Sequence, residues 1–190
     1  MSTKGRILVV AATARELATA DGWLTCVCGV GPVDSAAATA AAIAALRPAA
    51  ILHVGIAGAR RGAAIAPPTL VIGDLALYCD LGVPERFAPR VVPASPLLLD
   101  AARRALPAAL VRTIGTSARV GGTSDCDVEG MEGFAVLRAA QLAGIPAIEV
   151  RAVSNAVEEP DRAMWRFDDA FAAIVAATPR LVAELAQCVR

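Results

Sequence analysis

Residues 128–155 constrain the fold more than any other part of the chain. They read Val-Glu-Gly-Met-Glu-Gly-Phe-Ala-Val-Leu-Arg-Ala-Ala-Gln-Leu-Ala-Gly-Ile-Pro-Ala-Ile-Glu-Val-Arg-Ala-Val-Ser-Asn. Met131, Phe134, Ala135, Leu137 and Leu142 recur at near-helical spacing, which predicts a helix from about Gly130 to Leu142. Gly144 ends it, and Pro146 forbids its continuation. The β-branched Ile148, Val150 and Val153 then predict a strand over Ala147 to Val153. Helix, tight turn and buried strand form one unit of an α/β sheet. Two polar side chains stand out. Glu132 falls in the first helical turn among residues that want burial. Asn155 falls just past the strand's carboxyl end, where ligands collect in parallel α/β sheets. From composition alone, Glu132 complements the helix dipole and Asn155 caps a turn.

The rest of the chain repeats the alternation. Strands are predicted over Arg6 to Ala12, Leu24 to Cys28, Ala50 to Val54, Thr69 to Leu77 and Leu110 to Thr116. Helices are predicted over Val33 to Leu46, Leu97 to Leu106, and Asp161 to Arg190, the last broken at Pro179. The fourth strand reads as interrupted at Gly73-Asp74, and Phe87 to Pro96 as a proline-rich loop. With 190 residues and no long linker, one α/β domain is expected over residues 1–190. Gly29-Val30-Gly31 leads into a helix, but Asp34 occupies the place of a third glycine, so this is no dinucleotide fingerprint. Gly55-Ile56-Ala57-Gly58 reads as a loop in which glycines serve either a ligand's close approach or a tight turn.

Several function classes drop out. The 18 basic and 18 acidic residues cancel, and no basic stripe or aromatic platform suggests a nucleic-acid partner. The apolar fraction of 56% is high. Its runs are nonetheless read as short of the ~18 uncharged apolar residues that a membrane helix needs, so no membrane partner is expected. Arg15 and Glu16 cut the first apolar run too early for a signal peptide, and a cytoplasmic protein is expected. Five cysteines, an odd number without metal spacing, argue against a disulfide frame or a zinc site. Cys26 and Cys28 alternate on a strand and should share one side. His53 is the single histidine and is assigned to the core or a sheet end, which leaves Ser-His-Asp chemistry little to build on.

Met131-Glu132-Gly133 at a helix start, Gly144-Ile145-Pro146, a strand, and Arg151-Ala152-Val153-Ser154-Asn155 together resemble the purine nucleoside phosphorylase and nucleosidase superfamily. The segment Val153 to Trp165, Val-Ser-Asn-Ala-Val-Glu-Glu-Pro-Asp-Arg-Ala-Met-Trp, is most similar to the futalosine hydrolases. The resemblance implies a three-layer α/β/α fold with a central mixed sheet. It implies a nucleosidase that breaks the N-glycosidic bond of a purine nucleoside, with futalosine giving hypoxanthine in menaquinone biosynthesis. It further implies no metal or organic cofactor, a small-molecule nucleoside as partner, and a homo-oligomer.

Cleaving that bond builds a cationic sugar and pushes electrons onto the base, a problem that glycoside hydrolysis solves with carboxylates. Ala11-Ala12-Thr13-Ala14-Arg15-Glu16-Leu17 resembles the family's segment after strand one, which assigns Glu16 to water activation. Glu132 is assigned to the ribose diol, with Met131 against the sugar face. The main chain of Ile56, Ala57 and Gly58 is expected near the ribose and the attacking water. Asn155 is assigned to the leaving base. Adenine-cleaving relatives carry an aspartate there, whereas an amide offers an acceptor and donors that suit N7–H and O6 of a 6-oxopurine. Alternatives are a methylthioadenosine/adenosylhomocysteine-type nucleosidase, a phosphorylase to which Arg15 would contribute, and a non-catalytic nucleoside-binding homologue suggested by shortened segments at 73–83 and 115–127. No stacking aromatic is found over Ser117 to Asp127, and Trp165 and Phe167 are assigned to packing.

Overall fold

The computed structural model describes residues 7–121 and 126–189. The strands are β1 (Ile7–Ala11), β2 (Leu24–Val27), β3 (Ala50–Ala59), β4 (Leu70–Tyr78), β5 (Val91–Pro93), β6 (Leu110–Thr116), β7 (Val128–Gly130) and β8 (Ala147–Ala156). The helices are α1 (Pro32–Leu46), α2 (Pro96–Ala105), α3 (Gly133–Leu142) and α4 (Phe167–Cys188). All the strands join one sheet in the order β2-β1-β3-β7-β6-β4-β5, with β8 pairing both β3 and β4. The sheet is mixed: β3 runs parallel to β1 and β8 but antiparallel to β7.

The first strand shows why the helices form two layers. Ile7, Val9 and Ala11 belong to one buried cluster with Leu98 and Ala101 of α2 and Ile174 and Leu181 of α4. Leu8 and Val10 belong to the opposite cluster, with Ala38 and Ile43 of α1 and Phe134 and Leu137 of α3. A strand covered on both faces reads as a continuous apolar run, as Ile-Leu-Val-Val-Ala does. Leu24, Cys26 and Cys28 all pack on the α1/α3 side, as their alternation requires. The three-layer mixed sheet is the architecture the resemblance implied.

Several boundaries differ from expectation. The helix expected from Gly130 starts at Gly133, because Val128–Gly130 is taken into the sheet as β7, between β3 and β6. Glu132 is therefore the N-cap residue and not part of the first turn; its carbonyl accepts the first helical bond, from Val136 N. Strand β3 continues through Gly55 to Ala59, where a loop was expected. Strand β8 likewise reaches Ala156, so Asn155 lies within it. The β3–β8 ladder slips between Ala57 and Gly58: Ala57 faces Val153, but Gly58 faces Asn155, leaving Ser154 as the extra residue. Asp74 is a similar bulge in β4 rather than an interruption, and Val91–Pro93 is a short edge strand within the expected loop.

Helix α4 runs through Pro179 unbroken. Its apolar face, Ala170, Ile174, Leu181 and Leu185, is buried on the sheet on both sides of the proline, and that packing outweighs the lost backbone bond. At 22 residues, with a mean hydropathy of 1.3 over its most apolar window, α4 is long and apolar enough to cross a membrane by composition alone. Its longest uncharged run, residues 170–179, nonetheless falls well short of ~18 residues, because Asp169 and Arg180 bound it. Arg6, Gly122 to Asp125 and Arg190 lie outside the described residues.

Candidate active site

A cavity of about 270 Å³ opens where β3, β7 and β8 end beside the loop after β1. Glu16, Ile56, Ala57, Gly58, Met131, Glu132 and Asn155, the residues assigned to a nucleosidase site from the sequence, line it. Around them stand residues the sequence reading did not place there: Arg119, Glu129, Arg151, Ser154 and an aromatic wall of Trp165, Phe167 and Phe171. Trp165 and Phe167, expected to pack, do pack on one another and also line the cavity. Their rings lie 5.3 Å apart, and Phe171 follows at 6.2 Å. The chain thus carries aromatics at this cavity on α4 and the segment before it.

Glu16 sits in a one-turn 3-10 helix that follows β1, and it is buried. Its Oε2 accepts from Thr13 N at 2.8 Å and Thr13 Oγ1 at 2.9 Å, while Oε1 accepts from Ile56 N at 3.1 Å. A carboxylate has about four acceptor positions, so roughly one is left for a ligand. Glu132 is held from two sides, Oε1 by Gly31 N at 3.1 Å and Oε2 by Arg151 Nη2 at 3.2 Å. Both of its oxygens keep a free lone pair, the requirement for gripping two neighbouring hydroxyls.

Arg151 is the centre of this arrangement, 1% exposed. Nε donates to Glu149 Oε1 at 2.7 Å, Nη1 to the Ile56 carbonyl at 3.3 Å, and Nη2 faces both Glu132 and His53 Nε2, the latter at 2.6 Å. His53 Nδ1 lies 3.0 Å from the Val10 carbonyl, which can only accept. The proton therefore sits on Nδ1, and Nε2 accepts from the guanidinium. Burial, and then the Arg151 charge, hold His53 well below its ordinary pKa, so it is neutral. Burial would lower the pKa of Arg151 as well, but Glu149, Glu132 and Glu16 more than reverse this. Gly55 is explained by the same cluster: a side chain there would run into Arg151 Nη1 and Glu16 Oε1. It is neither a turn glycine nor a gap left for ligand.

Asn155 is oriented by its neighbours. Nδ2 donates to the Ala156 carbonyl at 2.9 Å, and Oδ1 lies 2.7 Å from Ser154 Oγ. Because Ala156 O can only accept, the amide cannot be flipped. One Nδ2 proton and one Oδ1 lone pair are left over.

The chain belongs to the phosphorylase superfamily, whose family model matches residues 18–187. It is 34% identical to the futalosine hydrolase of Streptomyces coelicolor over 85% of this chain and 79% of that one. It is 33% identical to the futalosine hydrolase of Thermus thermophilus over 82% and 79%. Among solved structures, the S-adenosylhomocysteine nucleosidase of Streptococcus pyogenes, in complex with 5-methylthiotubericidin, superposes with a TM-score of 0.82 at 21% identity over 98% of each chain. A futalosine hydrolase mutant from Helicobacter pylori gives 0.82 at 15% identity over 94% of this chain and 99% of the other. These structures establish the fold, and the family and curated relatives make the chain a hydrolase of the nucleosidase class, acting on an N-glycosyl bond.

Proposed function

We propose that the chain hydrolyses a 6-oxopurine nucleoside, with futalosine as substrate and hypoxanthine as the leaving base, a step of menaquinone biosynthesis. The observation that carries this reading is the gathering of Glu16, Glu132 and Asn155 around one cavity. In this reading, Glu16 takes a proton from water through its one remaining acceptor position. Glu132 receives the two ribose hydroxyls, with Met131 against the sugar. Those hydroxyls become stronger donors as the ring gains positive charge, so the contact tightens in the transition state. The leftover Oδ1 lone pair of Asn155 meets N7–H, and the leftover Nδ2 proton meets O6. The curated relatives named as futalosine hydrolases support the same substrate. No disulfide joins the five cysteines among the described residues, which fits a reducing cytoplasm.

Phosphorolysis is less well supported. Arg15, its candidate anion ligand, does not line the cavity and instead pairs with Asp168 at 2.8 Å on the surface. Chromatography of products from futalosine, inosine and methylthioadenosine, with and without phosphate, tests the reading. Phosphate-independent release of hypoxanthine from futalosine is expected, and faster release of adenine from methylthioadenosine would overturn it. Asn155→Asp is expected to slow hypoxanthine release by roughly 10- to 100-fold, since an acceptor then faces O6. The ratio of adenine to hypoxanthine release should rise in the same variant.

We also propose that the chain works as a homo-oligomer. An apolar trough of about 730 Å³ lies between α1 and α3, with Arg138 as its one charged lining residue among those described. Val33 and Leu142 on this trough are 79% and 72% exposed, and isologous pairing of two copies would cover them. The double substitution Val33→Glu, Leu142→Glu is expected to shift the sedimentation coefficient to that of a monomer.

A further inference from the structure

We propose that Glu149 is a positioning residue for the hydrolysis: its carboxylate grips Arg151 by Nε, and Gly133 is glycine to make room for it. The inference rests on the nucleosidase reading above. Glu149 does not line the cavity, so it can act only through a neighbour. That neighbour is Arg151, two residues along the same strand and on the same face, 2.7 Å away. A guanidinium is a rigid planar fork. Fixing Nε therefore fixes where Nη1 and Nη2 point. Here they point at the Ile56 carbonyl and at Glu132, on the two sides of the cavity that carry the catalytic assignments.

The surroundings show what this grip costs. Glu149 is 1% exposed, and its Oε2 is buried without a hydrogen bond among the described residues. Burial, partly offset by Arg151, raises its pKa above the usual carboxylate range. A Cβ on Gly133 would fall on this carboxylate. The first residue of α3 thus gives up its side chain to admit a charge that an apolar residue would replace more cheaply. The positive end of α3 beside Oε2 offsets part of the cost. A pair that served packing alone would have no need of the particular nitrogen that Glu149 holds.

Steady-state kinetics on futalosine test the inference. In Glu149→Ala, kcat is expected to fall about 100-fold with KM within about threefold, the pattern of lost alignment. Glu149→Gln keeps an acceptor for Nε–H and should stay within about fivefold of wild type. Glu149→Asp keeps the charge but withdraws it by one methylene, and should lose about tenfold. Arg151→Lys retains a cation without Nε, so adding Glu149→Ala to it should cost less than about threefold further. A full Glu149→Ala effect in the lysine background, or an unchanged kcat beside a lowered melting temperature, would mean a merely structural role. Should Glu149→Ala fail to fold, Glu149→Asp decides the matter, because unchanged turnover there overturns the inference. A wild-type protein that releases no base from any nucleoside overturns the nucleosidase reading itself, a different result from active wild type with indifferent Glu149 variants.

Discussion

Replacing Arg151 by methionine is expected to destabilise the chain by about 3–5 kcal/mol and to lower its melting temperature by roughly 10 °C. The guanidinium lies between Glu132 and Glu149, both buried, and hydrogen-bonds His53 as well. Methionine fills a comparable volume but answers none of these charges. Taking away one partner of a buried pair costs far more than the pair itself contributes, because the other partner stays in a poor solvent. The loss should depend on pH. Glu149 has a folded-state pKa raised above its unfolded value, so its contribution is present in acid and is lost as pH rises through the folded pKa. Without Arg151 that penalty on the ionised form grows. The variant should therefore lose less relative to wild type at pH 5 than at pH 8. Denaturant titrations at the two pH values check this, and a variant that melts within about 2 °C of wild type would show that the cluster carries no such strain.

Glu16→Gln is expected to slow hydrolysis by about 10²–10⁴-fold while nucleoside binding persists. The amide cannot take a proton from water. It also has a single acceptor oxygen for three donors, Thr13 N, Thr13 Oγ1 and Ile56 N, and turns its own N–H₂ toward one of them. Fluorescence of Trp165, on the cavity wall, would report binding separately from turnover. Unimpaired turnover would transfer the base role elsewhere, and binding without turnover in the wild type itself would favour the non-catalytic reading.

The layers of the fold were legible because each half-buried or fully buried element carries its own periodicity, as in Ile7–Ala11 and α3. Glu16, Glu132 and Asn155 were reached through motif resemblance, and all three line the cavity. The connections among them were not reached. A strand containing Glu149 and Arg151 two apart was read for its β-branched residues, although two opposite charges on one face of a buried strand already announce an internal ion pair. Trp165 and Phe167 were assigned to packing because sequence distance hides that the segment entering α4 closes over the cavity. Pro179 was over-weighted as a breaker, since the sheet contacts that hold α4 straight are tertiary. The start of α3 was misplaced because a three-residue strand is too short for any pattern to mark.

The extra residue at Ser154 puts β8 out of step with β3 partway along their ladder. Deleting that residue would restore a regular ladder with Asn155 still opposite Gly58, but it would remove the hydroxyl that lies 2.7 Å from Asn155 Oδ1. A chain shortened by that one residue should still melt as a folded protein, with the amide held through the Ala156 carbonyl alone.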